Sequence, residues 1–337
     1  MTGATPSVLA DDYDVLLLDL DGVVYLGPAA VPGAVEALAE ARRRGTRLAY
    51  VTNNASRTPN AIAEHLTSLG VPATAADVVT SAQAAARLVA ERVPAGSPVL
   101  VLGGMGLRLA VRALGLRPVS TAGESPVAVV QGMTPGMSYG LLAEGALAIR
   151  RGALFVAANV DATMPTGRGE LPGNGALVQA MRTATGADPL IAGKPRLPLH
   201  RETILRTGAR RPLVIGDRLD TDVEGANNAA VDSLLVLTGV ARPIDALCAP
   251  PRWRPTFIGA DLAALLTPQP AVTSADGVWR GGGWEARWSD GALALTGLGD
   301  PIAGLRTACA ATYAAVGDGR ADEGAVKSAL ATLNLPV

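Results

Sequence analysis

Aromatic side chains are nearly missing from this chain. Its 337 residues include two Phe, five Tyr and four Trp, about 3 % of the total. Apolar residues still make up 49 %, so alanine, leucine and valine must fill the core. Cysteine is equally scarce. Cys248 and Cys309 are the two in the sequence, too few for a disulfide scaffold. Neither has a CxxC or CxxxC neighbour, and both read as small buried apolar residues. There are two histidines, His65 and His200, and no HExxH zinc stretch. His65 falls inside a helical pattern and reads as structural. Neither sign of charge is in excess: 29 basic against 30 acidic residues give a net charge of -1. That excludes a global attraction to nucleic acid or anionic lipid, though not a local phosphate site. No apolar run reaches about 18 residues without a charge, which argues against a membrane-spanning helix. The N-terminus lacks the basic-then-apolar order of a signal peptide, so a cytoplasmic protein is expected. GxxxxGK[ST] and GxGxxG are both missing, which removes the common nucleotide-binding signatures.

What is present is a repeating unit of apolar strand, polar turn and helix. Residues 14–20 read as a buried strand, because VLLLDL is too continuously apolar for a half-exposed one. PGAVEALAEARRRG follows as a helix, with Pro32 near its start and Gly45 beyond its end. TRLAYVTNN, DVVT, RRPLVIGD and DSLLVLTGV read as further strands. TPNAIAEHLTSLG and SAQAAARLVAERV read as helices. Such alternation predicts a parallel sheet covered by helices. A second α/β block with glycine- and proline-rich loops interrupts it. The expected organisation is a core at 1–98 and 189–266, an insert at 99–188, and an appendage at 271–337. The appendage holds Trp279, Trp284 and Trp288. Its alternation predicts short antiparallel strands followed by helices.

Four polar stretches each follow an apolar strand. DYDVLLLDLDGVVYLG ends its strand at Asp19 and Asp21. In a parallel sheet the C-terminal edge is where ligands bind. Two carboxylates there repel, and a hard divalent cation with oxygen ligands would offset them. Asp19 could then attack an electrophile while Asp21 moves protons. The plainer alternative is a polar strand end with an Asp-Gly turn. GDRLDTD adds Asp217, Asp220 and Asp222. Asp220 also fits an ordinary helix N-terminus, whereas Asp217 directly follows the strand and Gly216. VTNNASRT supplies Thr52, Asn53 and Asn54, suited either to phosphoryl oxygens or to capping a helix. AGKP supplies Lys194, a cation for phosphoryl charge or a solvent-facing lysine.

Taken together and in this order, DLDGV, VTNN, GKP and GDRLDTD resemble the four signatures of the haloacid dehalogenase-like phosphatases. The resemblance covers about 1–266. It runs toward the subgroup of phosphoglycolate, nitrophenyl and NagD-like phosphatases. AANVDATMP and LPGNGALVQAMRTATG resemble that subgroup's cap, and the appendage resembles those of actinobacterial glycerol 3-phosphate phosphatases. The family implies a Rossmann-like parallel-sheet core, an inserted α/β cap of the C2 type and a small C-terminal α+β extension. It implies Mg²⁺-dependent hydrolysis of a small-molecule phosphate ester, with no nucleic-acid or membrane partner. Asp19 would be the nucleophile and a metal ligand. Asp21 would be the acid and base, its backbone carbonyl touching the metal. Thr52, Asn53 and Asn54 would bind the phosphoryl group. Lys194 would neutralise that group and orient Asp19. Asp217 would ligate the metal, and Asp222 would support its water shell or Lys194.

The chain departs from the pattern in places. Val23 replaces a common threonine. Gln131 and Met133 stand where glycine and aspartate are more usual in the cap, which bears on substrate rather than on activity. Arg108 and Arg168 are candidates for a second polar group of the substrate, or face solvent. Two other readings are a non-enzymatic scaffold and a phosphotransferase or phosphonatase-like enzyme. The intact set Asp19, Asp21, Lys194 and Asp217 speaks against a scaffold. Three roles stay open for the tail: covering the core, forming a homodimer through the cap or the extension, or binding another molecule. It distantly resembles part of an acetyltransferase-like domain, but lacks a convincing acyl-CoA pyrophosphate loop.

Overall fold

The computed structural model describes residues 7–166 and 169–335. The chain divides into two compact units. One runs up to Leu48 and resumes at Ala209; the other is Ala49–Gly208. The strand Arg47–Thr52 straddles the division.

The first unit is built on parallel strands. Val15–Leu18 pairs with Pro212–Gly216, that strand with Asp232–Val236, and that in turn with Phe257–Gly259. All four residues of Val15–Leu18 are buried, as expected of a strand covered on both faces. The helix Ala34–Arg43 buries Ala34, Ala37, Leu38 and Ala41, one stripe of the helical repeat. The tail follows its sequence pattern. Thr273–Ala275, Val278–Gly281, Trp284–Ser289 and Ala292–Gly297 form an antiparallel sheet. Inward Trp284 and Ala286 alternate with exposed Glu285 and Arg287, the period of a one-sided strand. The helices Pro301–Val316 and Glu323–Thr332 pack on it. The tail shares one apolar cluster with Leu219, Leu235, Leu247 and Ile258, so it belongs to the same folding unit. Cys248 and Cys309 are buried in that cluster.

In the second unit Arg47–Thr52 pairs in parallel with Val78–Thr80. The helices Pro59–Ser68 and Ser81–Ala90 follow these two strands. Thr58 and Thr80 cap them by accepting from backbone N–H groups. A five-stranded parallel sheet has the order Leu190–Ile191, Leu154–Ala157, Ala128–Gln131, Pro98–Leu102 and Arg117–Val119. Leu190–Ile191 thus pairs with Leu154–Ala157. Among the described residues no helix is long and apolar enough to cross a membrane.

Candidate active site

Parallel pairing brings the first aspartates together. The backbone N–H of Asp19 donates to Ile215 O at 2.8 Å, extending the ladder one residue past Leu18. Asp19 therefore leaves the sheet beside the end of Pro212–Gly216, which delivers Asp217. Leu219–Val223 make a wide π-type turn that carries Asp222 back toward the same place. Its carboxylate accepts from the Arg218 N–H at 3.3 Å. One carboxylate oxygen from each of Asp19, Asp217 and Asp222 lies within 4.8 Å of the others. Asp217 and Asp222 are buried, at 2 % and 1 % exposure. Asp21 lies outside this trio and is exposed, bridging to Tyr25.

The surroundings are shaped to the Asp217 carboxylate. Val240 N–H donates to Asp217 Oδ2 at 2.7 Å, and Ala241 N–H to the Asp217 carbonyl at 2.9 Å. Gly22, at φ +79°, and Gly239 both press against the same carboxylate; a Cβ on either would overlap it. Three carboxylates this close, two of them out of water, repel. An all-oxygen, all-carboxylate donor set is what a hard divalent cation takes. These residues therefore fit Mg²⁺.

The second unit gathers the other signatures. Thr52 is buried at 8 % exposure and Lys194 at 4 %. Asn54 N–H donates to Thr52 Oγ1 at 3.1 Å. Asn53 Oδ1 accepts from the Lys194 N–H at 2.8 Å, and Asn53 Nδ2 donates to the Lys194 carbonyl at 3.3 Å. The Asn54 side chain is turned to local structure, accepting from Ser56 N–H at 2.9 Å and Arg57 N–H at 3.0 Å. That is an Asx turn.

Three residues not singled out individually in the sequence also converge on Asn53. Asp161 accepts from its amide, and Asn159 and Ser81 donate to its carbonyl. Asn159 and Asp161 sit in AANVDATMP, a cap motif whose loop, 159–175, the sequence marks as a candidate for selecting the alcohol. Arg108 donates to Ser120 Oγ at 3.0 Å. Arg168 lies outside the described residues.

Comparison with known proteins agrees with this architecture. Residues 16–117 match a family model described as haloacid dehalogenase-like hydrolase, and 191–265 match one described as HAD-hydrolase-like. Residues 281–335 match a GCN5-related N-acetyltransferase like domain. The D-glycerol 3-phosphate phosphatase of Mycobacterium tuberculosis is 48 % identical over 300 residues, covering 87 % of this chain and 81 % of the relative. The 5'-nucleotidase YutF of Bacillus subtilis is 38 % identical over 68 % of this chain and 89 % of its own. The crystal structure of the glycerol phosphate phosphatase Rv1692 from Mycobacterium tuberculosis in complex with magnesium superposes with a TM-score of 0.87. It is 46 % identical and covers 98 % of this chain and 99 % of its own.

The chain is thus a hydrolase of α/β class, with parallel sheets flanked by helices and an added C-terminal domain. It belongs to the haloacid dehalogenase-like hydrolase family, and it is a phosphatase acting on phosphate monoesters.

Proposed function

We propose that this enzyme hydrolyses glycerol 3-phosphate, using Mg²⁺ and a covalent phosphoryl intermediate on Asp19. Phosphoglycolate and aryl or sugar phosphates are the competing substrates. The observation that carries the choice is the 48 % identity to a D-glycerol 3-phosphate phosphatase over 87 % of this chain. A cytoplasmic location suits so small a metabolite. In this reading 1–98 and 189–266 are the catalytic core, 99–188 is the cap that selects the alcohol, and 271–337 is the extension.

Asp19 Oδ attacks phosphorus, and the bond from phosphorus to the ester oxygen breaks. Asp21 gives its proton to the departing alkoxide, producing the free alcohol. It then takes a proton from water as that water attacks the phosphoryl group. The bond from phosphorus to Asp19 breaks, restoring the carboxylate and releasing inorganic phosphate. Exposure of Asp21 suits a group that exchanges protons with solvent. The Thr52 hydroxyl and the backbone N–H groups at its strand end hold the phosphoryl oxygens, and Lys194 neutralises them. Asp19, Asp217 and Asp222, with the Asp21 carbonyl, would hold Mg²⁺, which supplies positive charge against both carboxylates and phosphoryl group.

The test is phosphate release from a panel of small esters with Mg²⁺ or EDTA. Glycerol 3-phosphate should give the highest kcat/KM, and EDTA or Asp19→Asn should abolish release. A different preferred ester overturns the substrate; unchanged turnover in Asp19→Asn overturns the nucleophile.

A further inference from the structure

Asn53 is the residue on which the cap motifs converge, and its amide is spent entirely on protein. An asparagine amide has two N–H donors. Those of Asn53 go to Asp161, at 3.1 and 3.3 Å from its two oxygens, and to the Lys194 carbonyl at 3.3 Å. Its Oδ1 accepts from the Lys194 N–H at 2.8 Å. No amide donor is left for a phosphoryl oxygen, and Oδ1 would repel one. The Asn53 carbonyl accepts from Asn159 Nδ2 at 2.7 Å and Ser81 Oγ at 2.6 Å. Asn159 Oδ1 accepts from the Asp161 N–H at 3.3 Å. Behind these, Asn174 Nδ2 donates to the Asn159 carbonyl at 2.7 Å, and Gln131 Nε2 reaches Asn174 Oδ1 at 3.4 Å. Asn159, Asn174 and Gln131 are buried, at 5 %, 2 % and 0 % exposure. Apart from Gln131 Oε1, which has no hydrogen-bond partner among the described residues, these buried polar groups satisfy one another, which favours one rigid arrangement.

We propose that the Asn53 side chain is a positioning group that clamps the backbone of Lys194, and that Asn159 and Asp161 hold the clamp, with Asn174 and Gln131 behind them. Lysine carries its charge on a flexible four-carbon stem, so where the ammonium sits depends on how firmly its own backbone is fixed. Misplacing a catalytic group by about 1 Å costs on the order of 100-fold. The cap motif AANVDATMP thereby acts on phosphoryl charge, not only on the alcohol. This inference rests on the reading of Lys194 as the phosphoryl cation.

A double-mutant cycle tests it, with orthovanadate affinity measured by titration in Mg²⁺ buffer. Asn159→Ala should weaken vanadate binding about 10-fold when Lys194 is present and less than about 2-fold in Lys194→Ala. Asn159→Asp keeps the shape but loses the donor to the Asn53 carbonyl, and carries the same test should the alanine variant unfold. Equal losses in both backgrounds overturn the clamp, because a purely structural defect would not vanish with Lys194. Undiminished vanadate affinity in Asn159→Ala overturns it too. If Lys194→Ala itself binds vanadate normally, the reading of Lys194 fails and the clamp falls with it, a result distinct from the other two.

Discussion

Gly22 runs past the Asp217 carboxylate with no room for a side chain between them. Its φ of +79° is also one that L-residues rarely adopt. Gly22→Ala therefore meets both a collision and left-handed strain of about 1–2 kcal/mol. The Asp217 carboxylate would have to move. The variant should melt lower and need more Mg²⁺ for half-maximal activity. Calorimetry and a Mg²⁺ titration of turnover check this; an unchanged Mg²⁺ requirement would show that the glycine matters for folding alone.

Glu202 presents a different electrostatic situation. Its side chain is fully buried and faces two cations, Arg87 and Arg206, the latter at 2.5 Å. Removing the shared anion leaves the two guanidinium groups opposed. Glu202→Gln should destabilise the fold by about 3 kcal/mol, in the range for breaking a buried pair. Urea unfolding gives the number, and kcat/KM of the folded fraction should stay close to that of the parent.

Alkaline pH should weaken the tail. Burial pushes the Cys309 thiol up to about 12, against about 8.5 in an open chain. The folded protein thus holds a proton that the unfolded chain gives up. That contribution is complete below about pH 8.5 and is lost as pH climbs toward 12, at up to about 1.4 kcal/mol per pH unit. Between about pH 8 and pH 10.5 the parent's unfolding free energy should fall more steeply than that of Cys309→Ala. Parallel slopes would mean that Cys309 does not contribute.

The extension should not be separable from the core. Trp284 is buried and donates its indole N–H to the Asp300 carbonyl at 3.0 Å. Arg306 Nε donates to the Ile258 carbonyl at 2.8 Å. Trp284→Ala should cost about 3–5 kcal/mol. A chain ending at residue 270 uncovers Ile258, Leu247 and their neighbours, and should aggregate on expression. A monodisperse, active truncated chain would contradict the shared core.

The sequence made the strand ends readable because continuous apolar runs stop abruptly at Leu18 and Gly216. The tail was readable because Trp284–Ser289 alternates cleanly. Asp222 illustrates what was harder to see. The resemblance gave it support of the metal's water shell or of Lys194, and the wide turn at Leu219–Val223 puts its oxygen among those of Asp19 and Asp217. Asn54 read equally well as phosphate ligand or turn former, and its side chain caps the turn at Ser56 and Arg57. The clamp on Asn53 joins residues more than 100 positions apart. No local pattern encodes such a contact; it follows from how the sheet of Pro98–Ile191 places its loops.

The central claim is that Asp19 carries the phosphoryl group during turnover. The most direct measurement is rapid acid quenching of enzyme with radiolabelled glycerol 3-phosphate, followed by peptide mapping. Label should appear on the peptide containing Asp19, reach its maximum before steady state, and be missing in Asp19→Asn. Label on another residue, or none while phosphate is still being released, would contradict the account.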